Sequence, residues 1–137
     1  MVQQNSPHHQ ISLDALAVLR KNQETLCVIP QNYIEFWAVA TRQLMYNGLG
    51  LTIDETKQEI TQLKTLFVTK PDTQTIFTEW EQIVSQYQVT GKPTHDARIV
   101  AAMIAHGLTH LLTFNVDDFK RYKNIITVAT PQEVITS

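Results

Sequence analysis

Glu35, Asp96 and Asn115 are the residues whose types and positions could do chemistry. Two carboxylates and an amide oxygen are hard oxygen donors. Gathered in one place they suit Mg2+ or Mn2+, which keep several waters and open positions. Without a cation, neighbouring carboxylates repel and one of them holds its proton. With one, a bound metal acidifies water and neutralises charge on a phosphate in the transition state. The reaction such a trio implies is phosphodiester hydrolysis. Each residue also has an ordinary reading. Asp96, in the first turn of the helix that opens "THDARIVAAM", satisfies the helix dipole for about 0.3–1 kcal/mol. Glu35 is a solvated first-turn acid, and Asn115 is a turn residue that tolerates left-handed backbone. Spacing alone does not choose between these readings.

The elements that must position these residues are read from period and punctuation. Ser6-Pro7 is a helix start, a capping hydroxyl followed by proline, and Ile11, Ala15, Val18 and Leu19 recur at helical spacing over residues 7–22. Residues 26–29 are a short apolar run bounded by Pro30, which predicts a buried strand. Tyr33, Ile34, Trp37, Ala38 and Thr41 mark a helix over residues 31–45, with Glu35 in its first turn. The stretch "NGLGL" breaks the chain, and Thr52 with Glu55 makes a capping box for a helix whose stripe is Ile53, Ile60, Leu63 and Phe67. Val68-Thr69 is a brief strand. Asp72 then caps a helix that turns Ile76, Phe77, Trp80, Ile83, Val84 and Tyr87 inward. After the loop 89–94 comes the Asp96 helix, residues 95–106, ended by Gly107. Residues 111–114 and 125–128 are further strands, and Pro131 opens a short terminal helix.

Short apolar strands alternating with helices imply an α/β fold with a mainly parallel sheet buried on both faces. Ligands in such sheets lie beyond the carboxyl ends of the strands, where Glu35 and Asn115 fall. Asp96 precedes a strand instead of following one. It joins the same edge only if "QYQVT" supplies a strand before Gly91.

The 137 residues suit one domain. The net charge of -2 gives no global basic field, so any contact with nucleic acid must be local. Arg42, Arg98, Lys120 and Arg121 are the cations best suited to phosphate, although solvated or salt-bridged roles are the commoner use of such residues. His8 and His9 stand at a helix start, His95 in a loop, and His106 where it would offset a helix C-terminal dipole. Trp37, Phe77, Trp80 and Tyr87 are spaced as core residues, not as base-stacking platforms. The one cysteine, Cys27, reads as a buried strand residue, excludes a disulfide framework or Cys-rich zinc site, and fits a reducing cytoplasm. No apolar run approaches the ~18–20 residues of a membrane span, and the polar N-terminus lacks a signal-peptide core.

Residues 95–119, "HDARIVAAMIAHGLTHLLTFNVDDF", resemble the signature of PIN-domain ribonucleases, many of which are toxins of toxin–antitoxin pairs. Asp96 opens a helix, Ala97, Ala101 and Ala102 are its small residues, and Gly107 ends it. A strand then leads to Thr113, Asn115 and the pair Asp118-Phe119. Residues 28–42, "VIPQNYIEFWAVATR", are similar to the family's other motif, with Glu35 as its acid and Thr41-Arg42 closing it. The resemblance covers roughly residues 6 to 135. It implies a single PIN-like parallel-sheet α/β/α domain over residues 1–137 and a Mg2+- or Mn2+-dependent endoribonuclease. Glu35 and Asp96 would be metal ligands or positioners of the attacking water, and Asn115 would hold a further site position. Asp118 would support the loop, and Asp117 is a weaker candidate. RNA is the implied substrate; a cognate antitoxin and a homodimeric partner are the implied associations. The family begins with a central strand ending in Asp-Thr-Asn, whose Asp is its first metal ligand, and no such segment precedes residue 6. Asp14 lies two turns into a helix and does not replace that Asp. The expectation is therefore a domain truncated at its N-terminus, lacking the central strand and weak or inactive as a ribonuclease. The alternative is a non-catalytic PIN-like module or decayed remnant that binds an antitoxin or another protein.

Overall fold

The computed structural model describes residues 7–136, with side chains from residue 10 onward. The Ser6 cap and the His8 and His9 side chains lie outside the described set. The chain divides into two compact units, Met1–Pro71 and Asp72–Ser137.

In the first unit, α1 (Pro7–Lys21) leads to β1 (Cys27–Val28), α2 (Pro30–Thr41), a 3-10 turn (Leu44–Tyr46), α3 (Ile53–Leu66) and β2 (Val68–Thr69). β1 and β2 pair in parallel, Cys27 opposite Val68 and Val28 opposite Thr69. Pro30 presets the first helical φ of α2, and the Ile29 N–H donates to Asn32 Oδ1 at 2.8 Å. α2 ends at Thr41, earlier than its apolar pattern predicts. The cause lies downstream. Leu49 and Leu51 N–H groups donate to the Val39 and Ala40 carbonyls at 3.0 and 2.8 Å, satisfying the end of the helix from outside. Gly48 makes this return possible, because a Cβ there would collide with the Arg42 carbonyl. The capping box forms as predicted: Thr52 N–H donates to Glu55 Oε1 at 2.9 Å and Glu55 N–H to Thr52 Oγ1 at 3.1 Å. The bond from the Thr52 backbone N–H, then the Thr52 side-chain hydroxyl, holds the Glu55 carboxyl below its ordinary value.

The predicted inward stripes of this unit need correction. Ile34 is 68% exposed and Ile53 62% exposed. The inward row of α2 runs through Tyr33, Phe36 and Trp37, each half-buried, to Ala40, which is buried; this is i, i+3, i+4, i+7 spacing. Ile34 and Ala38 fall one position off that row. Cys27, predicted buried, is only partly so.

In the second unit, α4 (Gln74–Gln86) and α5 (Pro93–Ala105) pack on each other, followed by β3 (His110–Leu112), a 3-10 segment (Val116–Tyr122), β4 (Thr127–Ala129) and α6 (Pro131–Thr136). β3 and β4 pair in parallel, with Leu111 opposite Val128. Ala97, Val100, Ala101 and Ala102 are fully buried on α5. Their small size lets α4 come close enough to bury Ile76 and Ile83 as well. Gly107 takes φ +70, and the Leu108 N–H reaches the Met103 carbonyl at 2.8 Å, closing α5 as predicted.

Three expectations change here. Asp72 does not cap α4; Thr73 holds that position without a side-chain bond, and the Asp72 carboxylate pairs with Arg98 at 3.1 Å. Phe77 is 61% exposed, because it stands one position off the buried Ile76–Ile83 row. "QYQVT" supplies no strand: α4 continues to Gln86 and a turn follows. The α/β class holds in a helix-rich chain, but the strands form two separate two-stranded parallel pairs, and β2 is exposed where a sheet buried on both faces was expected. Among the described residues no helix is long and apolar enough to cross a membrane.

Candidate active site

Asp96 is the fourth residue of α5 and is half-buried. The start of α5 is held firmly. Gly91 takes φ +72 to turn the chain, Thr94 Oγ1 donates to the Gly91 carbonyl at 2.7 Å, and Trp80 Nε1 donates to the Thr94 carbonyl at 2.7 Å. α5 also contacts the 3-10 segment that ends in Tyr122. Tyr122 is 1% exposed, and its ring meets Tyr87 edge-on at 5.2 Å between centroids. Its hydroxyl has no hydrogen-bond partner among the described residues. Burial raises the Tyr122 hydroxyl above its ordinary value; Arg121 opposes this, and the Asp96 carboxylate adds to it.

Asn115 stands at the head of the same 3-10 segment and is exposed. Its φ of -103 is not left-handed, so the turn does not need an asparagine for its backbone. Its N–H donates to Thr113 Oγ1 at 3.0 Å, its carbonyl accepts from the Asp118 N–H at 3.1 Å, and its side chain makes no capping bond. Asp117 is paired with Lys120 at 2.8 Å.

Glu35 and Arg42 belong to the first unit. Glu35 is exposed on α2, where Gln31 Nε2 donates to Glu35 Oε2 at 3.4 Å. Arg42 Nη2 reaches the Asn47 carbonyl at 3.4 Å. The structure therefore places Asp96, Asn115 and Arg98 in one compact unit and Glu35 and Arg42 in the other. The donor types suit a hard cation. Among the described residues, however, no three His, Cys, Asp or Glu side chains gather as a metal would require.

Two features lie beyond what the sequence signals. Tyr122 belongs to a segment with no regular period, so its burial had no pattern to announce it. Phe77 and Trp80 stack at 5.6 Å with 28° between their planes. The i, i+3 spacing makes them neighbours on α4, but does not tell that one of them faces out.

The two units define an α/β protein with parallel strand pairs, an acid near a helix start and an amide just past a strand. The sequence matches the model of the family described as PIN domain over residues 1–125, and the chain belongs to that family. PIN domains are in general nucleases dependent on divalent metal, and the family suggests an RNA substrate. Comparisons with curated proteins and with solved structures give no significant match.

Proposed function

We propose that the chain is a single-domain endoribonuclease of the toxin–antitoxin toxin type, homodimeric in the cytoplasm, hydrolysing RNA phosphodiester bonds with Mg2+ or Mn2+. The observation that carries this reading is the family match, which spans Glu35, Asp96 and Asn115 together. In it, Glu35, Asp96 and Asn115 supply oxygen atoms that hold the ion or orient water, and Arg42 and Arg98 contact phosphate. A bound ion would acidify water and offset charge on the phosphate. Water would attack phosphorus as the bond to the leaving ribose oxygen breaks, its proton passing in net to that oxygen. Asp96 carries the most weight, because it is half-buried in the first turn of a helix whose following residues are buried from Ala97 to Met103, Arg98 excepted.

Incubation of the chain with labelled single-stranded RNA tests this. The expected outcome is slow cleavage that Mn2+ accelerates and Asp96→Asn abolishes. Cleavage that survives Asp96→Asn, or ignores Mn2+, overturns the assignment. Absence of any cleavage favours the second reading, a non-catalytic PIN-type module that binds an antitoxin or another protein. The apolar surface of the first unit supports that second reading. Ile34, Leu44, Met45 and Tyr46 are all exposed. A groove of about 470 Å3 between α2 and α3 has Trp37 and Ile60 in its walls and Lys57 and Lys64 among its lining residues. Exposed apolar patches of this kind mark interaction sites.

A further inference from the structure

We infer that the α4–α5 cleft of the second unit is a subsite for one unpaired nucleotide of RNA, with Phe77 as the stacking surface and Arg98 as the phosphate contact. The inference rests on the proposed RNA reading and names where the strand is gripped. The cleft encloses about 200 Å3 and is lined by Phe77, Trp80, Thr94, His95 and Arg98. That is below the ~300–1,000 Å3 of pockets for drug-sized ligands, so it suits a single planar ring. Two observations converge on a nucleotide.

The first is the exposed aromatic. A phenylalanine 61% exposed leaves apolar ring surface in water. Trp80 backs it at 5.6 Å in a stacked arrangement. Trp80 is itself fixed through its Nε1 bond to the Thr94 carbonyl, so the platform is pre-ordered and loses little freedom on binding. Every base has a π-face, and aromatic platforms hold unpaired bases without reading their sequence. The second is the cation. Arg98 is held beside the cleft by Asp72 at 3.1 Å. That pair is partly exposed and contributes little by itself, while a guanidinium has five donors and can meet a phosphate as well as a carboxylate. The same helix carries Asp96 in its first turn, turned away from the face that bears His95 and Arg98.

The test uses the full chain in a Trp37→Phe background, which leaves Trp80 as its only tryptophan. Hexauridylate and hexaadenylate are titrated in EDTA, so that binding is read without cleavage. The expected result is saturable quenching of Trp80 emission. Phe77→Ala should weaken binding about tenfold and Phe77→Tyr should restore it. Arg98→Gln should weaken binding and lower the salt slope by about one. Phe77 is largely exposed, so its variants should keep the circular dichroism of the parent. Absence of quenching, or unchanged affinity in both Phe77→Ala and Arg98→Gln, overturns the subsite. Asp96→Asn separates the two proposals. Quenching retained in that variant supports the subsite whether or not the parent cleaves. Cleavage by the parent with a KM that Phe77→Ala does not move overturns the subsite and leaves the nuclease reading standing.

Discussion

The two units differ most in what they do with apolar residues. The second buries a continuous set, from Ile76 and Ile83 on α4 through Ala97, Val100, Ala101 and Ala102 on α5 to Phe119, Tyr122 and Ile126. The first buries Ala15, Ile29 and Ala40 and leaves Ile34, Leu44, Met45, Tyr46 and Ile53 in contact with water. Both units are short parallel strand pairs braced by helices, so the class of fold does not account for the contrast. Side-chain size and row spacing do. Alanines on α5 let two helices meet closely. On α2 the large aliphatic Ile34 sits one step off the buried row. The acid on the well-packed helix, Asp96, is half-buried; the acid on the thinly packed one, Glu35, is exposed. Precise chemistry favours groups on rigid elements, which puts Asp96 ahead of Glu35.

The contrast predicts unequal responses to truncation. Ile76→Ala, in the second unit, should cost about 2–5 kcal/mol through lost burial and the cavity left behind. Ile34→Ala, in the first, should stay within about 0.5 kcal/mol. Urea unfolding of both variants checks this, and comparable losses would erase the distinction between the units.

A smaller effect probes the one flaw in the better core. Tyr122→Phe removes a buried hydroxyl that has no partner among the described residues. It should be neutral or stabilising by up to about 1 kcal/mol at pH 7. The sign at high pH follows from the raised hydroxyl. In the unfolded chain a tyrosine ionises near pH 10, while in the fold it keeps its proton to higher pH. The folded state therefore binds more protons above about pH 10, and stability falls as pH rises from there through the folded value. Tyr122→Phe should lessen that alkaline loss in thermal melts. An identical alkaline slope in both proteins would contradict the burial account.

Much of this was legible in the residues. The capping box at Thr52 and Glu55, the stop at Gly107 and the proline start at Pro131 are local devices, set by a few neighbouring atoms. The parallel pairing followed from short apolar strands separated by helices. What failed was long-range or one residue wide. Asp72 resembles a cap, but Arg98, distant in sequence, takes its carboxylate. Phe77 lies beside the buried row, and a shift of one position on a helix turns a side chain by about 100°. That shift moved an aromatic from the expected core to the lip of a cleft. Of the site residues, Asp96 and Asn115 were read correctly as belonging to a helix start and the loop after a strand. The buried Tyr122 carried no signal, since its ring packs against Tyr87, 35 positions away.

The central claim is that Asp96 belongs to a metal-assisted site, and a Mn2+ titration followed by thermal unfolding tests it most directly. The account predicts a dose-dependent rise in Tm for the parent chain, equivalent to about 2.7 kcal/mol when Mn2+ reaches a hundred times its Kd. Asp96→Asn should lose that rise while keeping its metal-free fold. The same Mn2+-dependent rise in Asp96→Asn, or none in the parent, would contradict the claim.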